Sequence, residues 1–221
     1  MGNVLILGAS GGIGSALAAA CTAQGDMVTA VSRSADGFDI TDEASVAAHL
    51  GALEGPFDRV IVATGALEIA GAAPEKSVKA IRKQAMMDQF ALNAVGPALI
   101  LAHMHDLLDR DARSVIAVLS ARVGSIGDNR IGGWVSYRSA KAAVNQIVHC
   151  AAIELARTHK RGICVALHPG TVATPFTEKY LGRHPAVTPD EAAQNLLSVM
   201  DNLSVDQSGG FFDWAGTEVE W

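Results

Sequence analysis

The amino-acid sequence predicts an α/β protein in which helices cover both faces of one doubly wound parallel sheet. This arrangement gives three layers in a single domain over residues 1–221. Short apolar runs alternate along the chain with longer segments whose apolar residues recur at helical spacing. The short runs are apolar on both faces, which is typical of buried parallel strands joined by right-handed helical crossovers. With 49 % apolar residues, the 221-residue chain is long enough for one sizeable core.

The elements follow from these patterns in chain order. Strands are predicted at Val4–Leu7, Met27–Val31, Val60–Ala63, Val115–Leu119 and Ile163–Leu167, with a last strand and turn in Gly209–Trp214. Helices are predicted at Ile13–Gln24, Val46–Leu53, Met86–Leu108 and Ser136–Arg157, and from the capping pattern Thr188-Pro-Asp-Glu191 onward. Glycine after the first helix and proline at the start of the last one are typical helix boundaries.

Composition and charge exclude several kinds of partner. The net charge is −6 and the basic residues are scattered, so no groove for nucleic acid is expected. The start of the chain lacks a basic segment, and the most apolar stretch, 90–104, is interrupted, so we expect no signal peptide, no membrane partner and a cytoplasmic protein. The three cysteines, Cys21, Cys150 and Cys164, lie far apart, which predicts buried thiols and neither a disulfide nor a metal site.

A glycine-rich turn follows the first predicted strand. “LILGASGGIGSALA” places Gly8, Gly12 and Gly14 between that strand and the first helix. Glycine lets the backbone approach a pyrophosphate closely, while the amides around Ile13 and the hydroxyl of Ser10 face the anion. No lysine follows, which excludes a nucleoside triphosphatase loop. The turn predicts a dinucleotide site, with a tight turn that binds nothing as the alternative.

Arg33 follows the second predicted strand, in “VSRS”. Sites for NAD usually place an acid here, where it binds the ribose 2′-hydroxyl. A guanidinium without a neighbouring carboxylate suits a 2′-phosphate instead. We therefore expect NADP as the cofactor, with NAD as the alternative; a solvated loop arginine is the interpretation without a function.

A tyrosine and a lysine share one face of the long predicted helix. “SYRSAKAAVNQ” places Tyr137 and Lys141 four residues apart. A phenol protonates a carbonyl that receives a hydride, and a neighbouring ammonium lowers the pKa of the phenol and has donors left for the cofactor ribose. Chance spacing on an exposed face is the alternative. Beside the glycine turn, the pair predicts hydride exchange with a small carbonyl or alcohol.

These motifs together resemble the short-chain dehydrogenase/reductase family, which has a Rossmann fold. The similarity covers nearly the entire chain: “GASGGIG” near the start, “DIT” at 39–41, “FALNAVGP” at 90–97, “YRSAK” at 137–141 and “HPGTVATP” at 168–175. The segments “GSIGDNRIGGWVSYRSAKAAVNQ” and “GGFFDWAGTEVEW” look most like the subgroup of C-factor cell-signalling proteins and sniffer-type carbonyl reductases.

The resemblance implies roles for further residues. Asn93 would hold a helix kink and the water of a proton relay that leads to Lys141. The other residues implied in cofactor binding are Asp39 and Ile40 at the adenine, Ala63, Thr64 and Gly65 at the adenosine ribose, and Pro169, Gly170, Val172 and Thr174 over the nicotinamide and phosphates. Two departures weaken the expected adenosine binding: Leu7 replaces a threonine, and Val62-Ala63-Thr64-Gly65 replaces Asn-Asn-Ala-Gly, where Thr64 is the candidate for a lost hydrogen bond.

The serine that orients the carbonyl is not at its usual place. In the family it stands three residues before a glycine, and counting back from Gly124 gives Ala121. Ser120 is the preferred candidate, although neighbours in an extended strand point to opposite faces unless a bulge re-aims them. Ser125 and a site without any serine remain as alternatives, and Arg122 is a bulky third donor.

The sequence therefore predicts an NADP-dependent carbonyl reductase with a short substrate loop at about 171–187. A dinucleotide-binding signalling protein with little or no turnover is the rival hypothesis. Trp134, Phe176 and Tyr180 are candidate pocket walls, with core packing as the alternative, and His168 is expected to be structural. We also expect a homo-oligomer, either a dimer or a tetramer.

Overall fold

One six-stranded parallel sheet forms the centre of the protein. The computed structural model describes residues 1–174, 177, 179 and 186–221. The strands are β1 (Asn3–Leu7), β2 (Met27–Val31), β3 (Arg59–Val62), β4 (Ser114–Leu119), β5 (Gly162–His168) and β6 (Phe211–Asp213). They lie in the order β2-β1-β3-β4-β5-β6, and every neighbouring pair is parallel. The predicted doubly wound parallel sheet is confirmed.

Helices cover both faces of this sheet. They are α1 (Gly12–Ala23), α2 (Arg33–Asp36), α3 (Glu43–Gly51), α4 (Lys83–Phe90), α5 (Gly96–Leu101), α6 (Met104–Leu107), α7 (Val135–Thr158) and α8 (Pro189–Asn202). A π-helical segment, Ala91–Val95, joins α4 to α5. The cap expected at the start of α8 is present, because Thr188 Oγ1 accepts a hydrogen bond of 3.2 Å from the amide of Glu191.

Alternate residues of the central strands enter two separate cores. In β4, Ile116 and Val118 pack in the same buried cluster as Val144 and Val148 of α7. The residues between them on β4 belong to a second cluster with side chains of α1 and α8. The central strands are therefore buried on both faces, which explains why they read as continuous apolar runs, whereas in the edge strand β2 only Val31 is buried.

The prediction of one continuous helix over Met86–Leu108 is wrong. The structure breaks it into α4, the π-helical segment, α5 and α6. Pro97 has no amide hydrogen to donate to the carbonyl four residues earlier, which belongs to Asn93, so the regular ladder is interrupted there. The kink implied for Asn93 therefore lies within a π-helical turn.

The segment after β2 begins with Ser32, which caps the short helix α2, in which Arg33 is the first residue. One further expectation needs correction, that all three cysteines are buried. Cys21 and Cys164 are buried as expected, but Cys150 is exposed; all three are free thiols. Across the described residues, no helix combines the length and the apolar character needed to cross a membrane.

Candidate functional site

The candidate site lies at the carboxyl edge of the sheet, where the strand order reverses. β2 flanks β1 on one side, while β3 to β6 follow on the other. In open parallel sheets, the crevice outside the strand ends at such a reversal is the usual place for a ligand. The glycine turn after β1, Thr64 after β3 and Ser120 after β4 all leave the sheet at this edge.

The glycine turn is packed too closely for any larger residue at two positions. A Cβ at Gly14 would lie 2.2 Å from the carbonyl oxygen of Gly8, and one at Gly12 would lie 2.7 Å from Cγ2 of Thr174. Gly8 itself has a φ of +94°, which side chains other than glycine rarely adopt. The turn is therefore shaped by contacts of the backbone with itself and with the segment after β5.

The start of α1 is free to bind an anion. Gly11 is its N-cap, and among the described residues no side chain caps the helix. No acidic residue lies in the first turn, and Ser10 and Gly12 are exposed. Uncapped amides at a helix start attract phosphate oxygens, so the residues present fit the pyrophosphate of a dinucleotide.

Arg33 lies at the carboxyl end of β2, on the same edge. Its side chain is exposed, and it forms no ion pair with any described residue. Asp39 is close enough that Arg33 contributes to its charge environment, but Thr41 binds the Asp39 carboxylate directly, at 2.9 Å through its amide and 2.7 Å through its hydroxyl. These hydrogen bonds, side chain first, keep the pKa of Asp39 below its ordinary value. Ile40 is buried against Gly96.

Gly65, Asn93 and Lys141 meet at one point. A Cβ on Gly65 would lie 2.8 Å from Oδ1 of Asn93 and 3.4 Å from Nζ of Lys141. The Asn93 amide is completely buried; it accepts from the amide of Ala66 at 3.1 Å and donates to the carbonyl of Ala66 at 2.9 Å and to Oε1 of Gln89 at 2.8 Å. The structure thus brings together the two residues of the expected proton relay.

Ala63 and Thr64, the first two residues after β3, lie next to this cluster. Ala63 packs against Gly8, because a Cβ on Gly8 would lie 2.9 Å from the carbonyl carbon of Ala63. The hydroxyl of Thr64 is buried and has no partner among the described residues. A buried hydroxyl without a partner is costly, so Thr64 has a hydrogen bond available for a ligand at this edge of the sheet.

Tyr137 and Lys141 are both buried, with 7 % and 3 % of their surface exposed. Nζ of Lys141 lies 5.9 Å from the centre of the Tyr137 ring and donates to the carbonyl oxygen of Leu119 at 2.9 Å. Burial lowers the pKa of the lysine to about 8 and raises that of the tyrosine. The expected depression of the phenol pKa by the ammonium is therefore wrong for the protein alone, because burial of the phenol raises its pKa.

Both nearby serine hydroxyls form hydrogen bonds, but only Ser120 donates its proton. Ser120 is buried, and its Oγ donates to Oδ1 of Asn145 at 2.6 Å. Oγ of Ser125, also buried, accepts from the amide of Asp128 at 3.0 Å. Arg122 is paired with Asp128 at 2.6 Å. Ala121, at the usual position of the orienting serine, is extended and half-buried.

The segment after β5 closes over the glycine turn. Gly170 adopts a φ of +79°, and a Cβ there would lie 3.0 Å from Cδ1 of Trp214. Val172 is buried and pairs with Val187 across an isolated bridge, while Thr174 contacts Gly12. Pro169 starts this segment, but Phe176 and Tyr180, expected as pocket walls, lie outside the described residues.

Two features of the site were not found from the sequence. Glu75 binds the start of α7, as described below. Asn145, one turn beyond Lys141 on α7, accepts the Ser120 hydroxyl. Trp134, named from the sequence as a candidate pocket wall, stands with its ring edge to Tyr137, at 6.5 Å between ring centres. For Asn145, the four-residue spacing from Lys141 was the available signal; for Glu75, the sequence carries none.

A parallel sheet, an uncapped glycine turn at its reversal and a buried tyrosine–lysine pair define an oxidoreductase of the hydride-transfer class. The chain belongs to the short-chain dehydrogenase family, whose model matches residues 2–183. The resemblance expected from the motifs is confirmed.

Individual relatives and structures agree with this assignment. The 1-hydroxy-2-glutathionyl-2-methyl-3-butene dehydrogenase of Rhodococcus sp. (strain AD45) is 32 % identical over 234 residues, covering 100 % of both chains. The C-signal protein of Myxococcus xanthus is 35 % identical over 137 residues, covering 62 % of this chain and 78 % of that protein. The NADPH-bound carbonyl reductase from chicken fatty liver superposes with a TM-score of 0.83 at 24 % identity, over 99 % of this chain and 98 % of that one; it shares the fold.

Proposed function

We propose that this protein is an NADPH-dependent reductase of small carbonyl compounds, or the corresponding alcohol dehydrogenase in reverse. The observation that carries the proposal is the meeting of Tyr137, Lys141 and Asn93 beside an uncapped, glycine-lined helix start. Support comes also from the chicken reductase, which shares the fold and holds NADPH, and from the full-length Rhodococcus relative, a dehydrogenase by name.

The cofactor would lie across the carboxyl edge of the sheet. On this proposal, Gly8, Ser10, Gly12, Ile13 and Gly14 hold its pyrophosphate and Arg33 its 2′-phosphate. The adenosine is held by Asp39, Ile40, Ala63, Thr64 and Gly65, and the nicotinamide half by Pro169, Gly170, Val172 and Thr174. The bound nicotinamide supplies the hydride; every other task falls to side chains of this chain.

Tyr137 would protonate the carbonyl oxygen of the substrate. Because burial raises the pKa of its phenol, the hydroxyl is protonated at neutral pH and is a donor for reduction. Lys141 is charged below its pKa of about 8 and stabilises the phenolate that remains after the transfer. The side-chain amide of Asn93 is fixed by three hydrogen bonds. On this proposal it holds the water of a relay that returns a proton through Lys141.

The choice between NADPH and NADH tests the role of Arg33. The Arg33→Ala variant is expected to bind NADPH about tenfold more weakly and NADH unchanged, because a single exposed charge-assisted contact to phosphate is lost. Fluorescence titration with both dinucleotides measures the ratio. Arg157→Ala, at the far end of α7, is the matched control, and equal weakening of NADH and NADPH would contradict the assignment.

The Ser120–Asn145 contact makes a second prediction. Since the Ser120 proton is already used, Ser120→Ala should slow reduction by no more than about threefold, whereas Ala121→Ser should raise kcat by about tenfold through a new donor to the carbonyl oxygen. Steady-state kinetics of both variants on one aldehyde decide the matter. A tenfold or larger loss in Ser120→Ala would instead assign the carbonyl contact to Ser120.

A signalling protein with little turnover is the second candidate. It is favoured by the engaged proton of Ser120, the preferred candidate for the carbonyl contact, and by the similarity to C-signal. NADPH oxidation with a panel of aldehydes, ketones and quinones separates the two functions, with Tyr137→Phe as the background. Tight dinucleotide binding without turnover on any compound would support the signalling candidate.

The cellular location and the oligomeric state of the protein are predictions from its sequence. We propose a cytoplasmic homo-oligomer, a dimer or a tetramer. Ile153 on α7 exposes 53 % of its surface, and neighbouring small residues such as Ala143 and Ala151 are only partly buried. Analytical ultracentrifugation measures the assembly.

A further inference from the structure

The helix that carries Tyr137 has no capping side chain of its own. Its N-cap, Trp134, has left-handed backbone angles (φ 51°, ψ 38°) and makes no side-chain cap. The two preceding glycines, Gly132 and Gly133, also have positive φ, 69° and 67°. Three consecutive left-handed residues place the chain at a sharp angle immediately before the first turn of α7, where Tyr137 is the third residue.

Glu75 supplies the missing cap from a distant loop. Its carboxylate accepts from the amide of Ser136 at 3.2 Å and from the hydroxyl of the same residue, and its carbonyl oxygen accepts from the amide of Trp134 at 2.5 Å. The carboxylate and Ser136 are separated by 61 residues in sequence. Glu75 therefore binds both sides of the left-handed turn, and Ser136 is the residue directly before Tyr137.

The carboxylate stays charged although it is buried, with 9 % of the residue exposed. Burial opposes ionisation, but the hydrogen bond from the Ser136 side chain and those from backbone amides keep the pKa of Glu75 below its ordinary value. A negative charge at a helix start is also favoured by the helix dipole. Arg138 fixes the other side of the turn by donating to the carbonyl of Gly133 at 3.0 Å.

We propose that Glu75 is a positioning residue that sets the place of the Tyr137 hydroxyl through the first turn of α7. The inference rests on the proposed reductase function but can fail or hold independently of it. The first turn of a helix without a cap frays, and a displacement of about 1 Å of a reacting group costs on the order of 100-fold in rate. Because Glu75 acts through its contacts with Ser136 and Trp134, we expect its effect on the rate of proton transfer and not on binding.

The test compares Glu75→Gln with a matched carboxylate elsewhere. In Glu75→Gln the side chain keeps its shape, but one of the two Ser136 donors faces an amide NH₂. We expect kcat to fall about tenfold, with the KM for the carbonyl and the Kd for NADPH unchanged. Asp109→Asn is the control: Asp109 also accepts two backbone amides, of Asp111 and Ala112, each at 2.7 Å, in the loop before the amino end of β4.

An NMR measurement provides a readout that does not need turnover. The protein has only two tyrosines, so labelling with [¹³Cζ]tyrosine gives two resonances, of which Tyr137→Phe assigns one. Glu75→Gln should shift or broaden the Tyr137 resonance, and Asp109→Asn should leave it in place. Should Glu75→Gln fold poorly, Ser136→Ala, which removes only the hydroxyl donor, is expected to give a smaller change in the same direction.

Each outcome decides the proposal. Loss of kcat in Glu75→Gln together with a changed Tyr137 resonance supports it. A kcat within about twofold of wild type, equal losses in both variants, or a loss of kcat with an unchanged resonance would overturn it. If the wild type has no turnover but the resonance changes, Glu75 positions Tyr137 and the reductase function is the part that fails.

Discussion

Replacing Tyr137 with phenylalanine is expected to lower kcat for carbonyl reduction by about 1,000-fold, while the Kd for NADPH stays within about twofold. The hydroxyl is the proton donor on the proposed path, and phenylalanine preserves the ring that packs beside Trp134 and Lys141. The cofactor is held by other residues, so its binding should not respond. Stopped-flow measurement of NADPH oxidation and fluorescence titration of NADPH supply the two values.

Stability distinguishes this prediction from a general effect of the substitution. Tyr137 makes no side-chain hydrogen bond with the described residues, so loss of its hydroxyl removes no partner and the midpoint of thermal unfolding should change little. A variant that keeps more than about a tenth of wild-type kcat would show that another group protonates the carbonyl. In that case the buried tyrosine–lysine pair would be packing and not chemistry.

The fold and the cofactor turn were predictable from the sequence because their signals are local. A buried parallel strand is apolar at every position, as in Val4–Leu7, and a phosphate-binding turn needs glycine at fixed offsets. The pairing of Tyr137 with Lys141 could also be predicted, since a spacing of four places both on one helix face. The break in Met86–Leu108 was readable in part, because Pro97 forbids a regular helix, but its π-helical form depends on the tertiary bonds of Asn93.

The rest of the site depends on contacts between distant segments. Glu75 lies 61 residues before Ser136, and no periodicity connects them. The hydroxyl of Ser120 was open to two interpretations until Asn145 was seen to accept it. The pKa of Tyr137 was expected to fall because the sequence shows the neighbouring charge but not the burial, which has the larger effect. Charge and pattern are local properties, whereas desolvation and hydrogen-bond partners belong to the folded chain.

Lys141→Met is expected to make the protein more stable and less active. Burial lowers the pKa of Lys141 from 10.5 to about 8, so keeping its charge at pH 7 costs roughly 3 kcal/mol of folding free energy. Methionine fills a similar space without charge. Loss of the 2.9 Å hydrogen bond to the carbonyl of Leu119 destabilises the variant by about 1 kcal/mol, which offsets part of this gain. The free energy of unfolding at pH 7 should therefore rise by about 2 kcal/mol, while kcat falls at least about 100-fold, because nothing stabilises the phenolate.

The pH dependence of wild-type stability tests whether the buried charge of Lys141 destabilises the fold. Between pH 8 and 10.5, folded Lys141 has lost its proton while unfolded Lys141 retains it, so stability contributed by this group rises with pH across that window. Urea unfolding at pH 7 and pH 9.5 should show the rise in wild type and not in Lys141→Met. Lys160→Met is the matched control, since Lys160 also donates to one backbone carbonyl, at 2.8 Å from Ala156, but is exposed; it should keep the wild-type slope. If Lys141→Met is instead less stable than wild type at pH 7, the contacts of the ammonium stabilise the fold by more than its burial costs. The proposed cost of the charge would then be wrong.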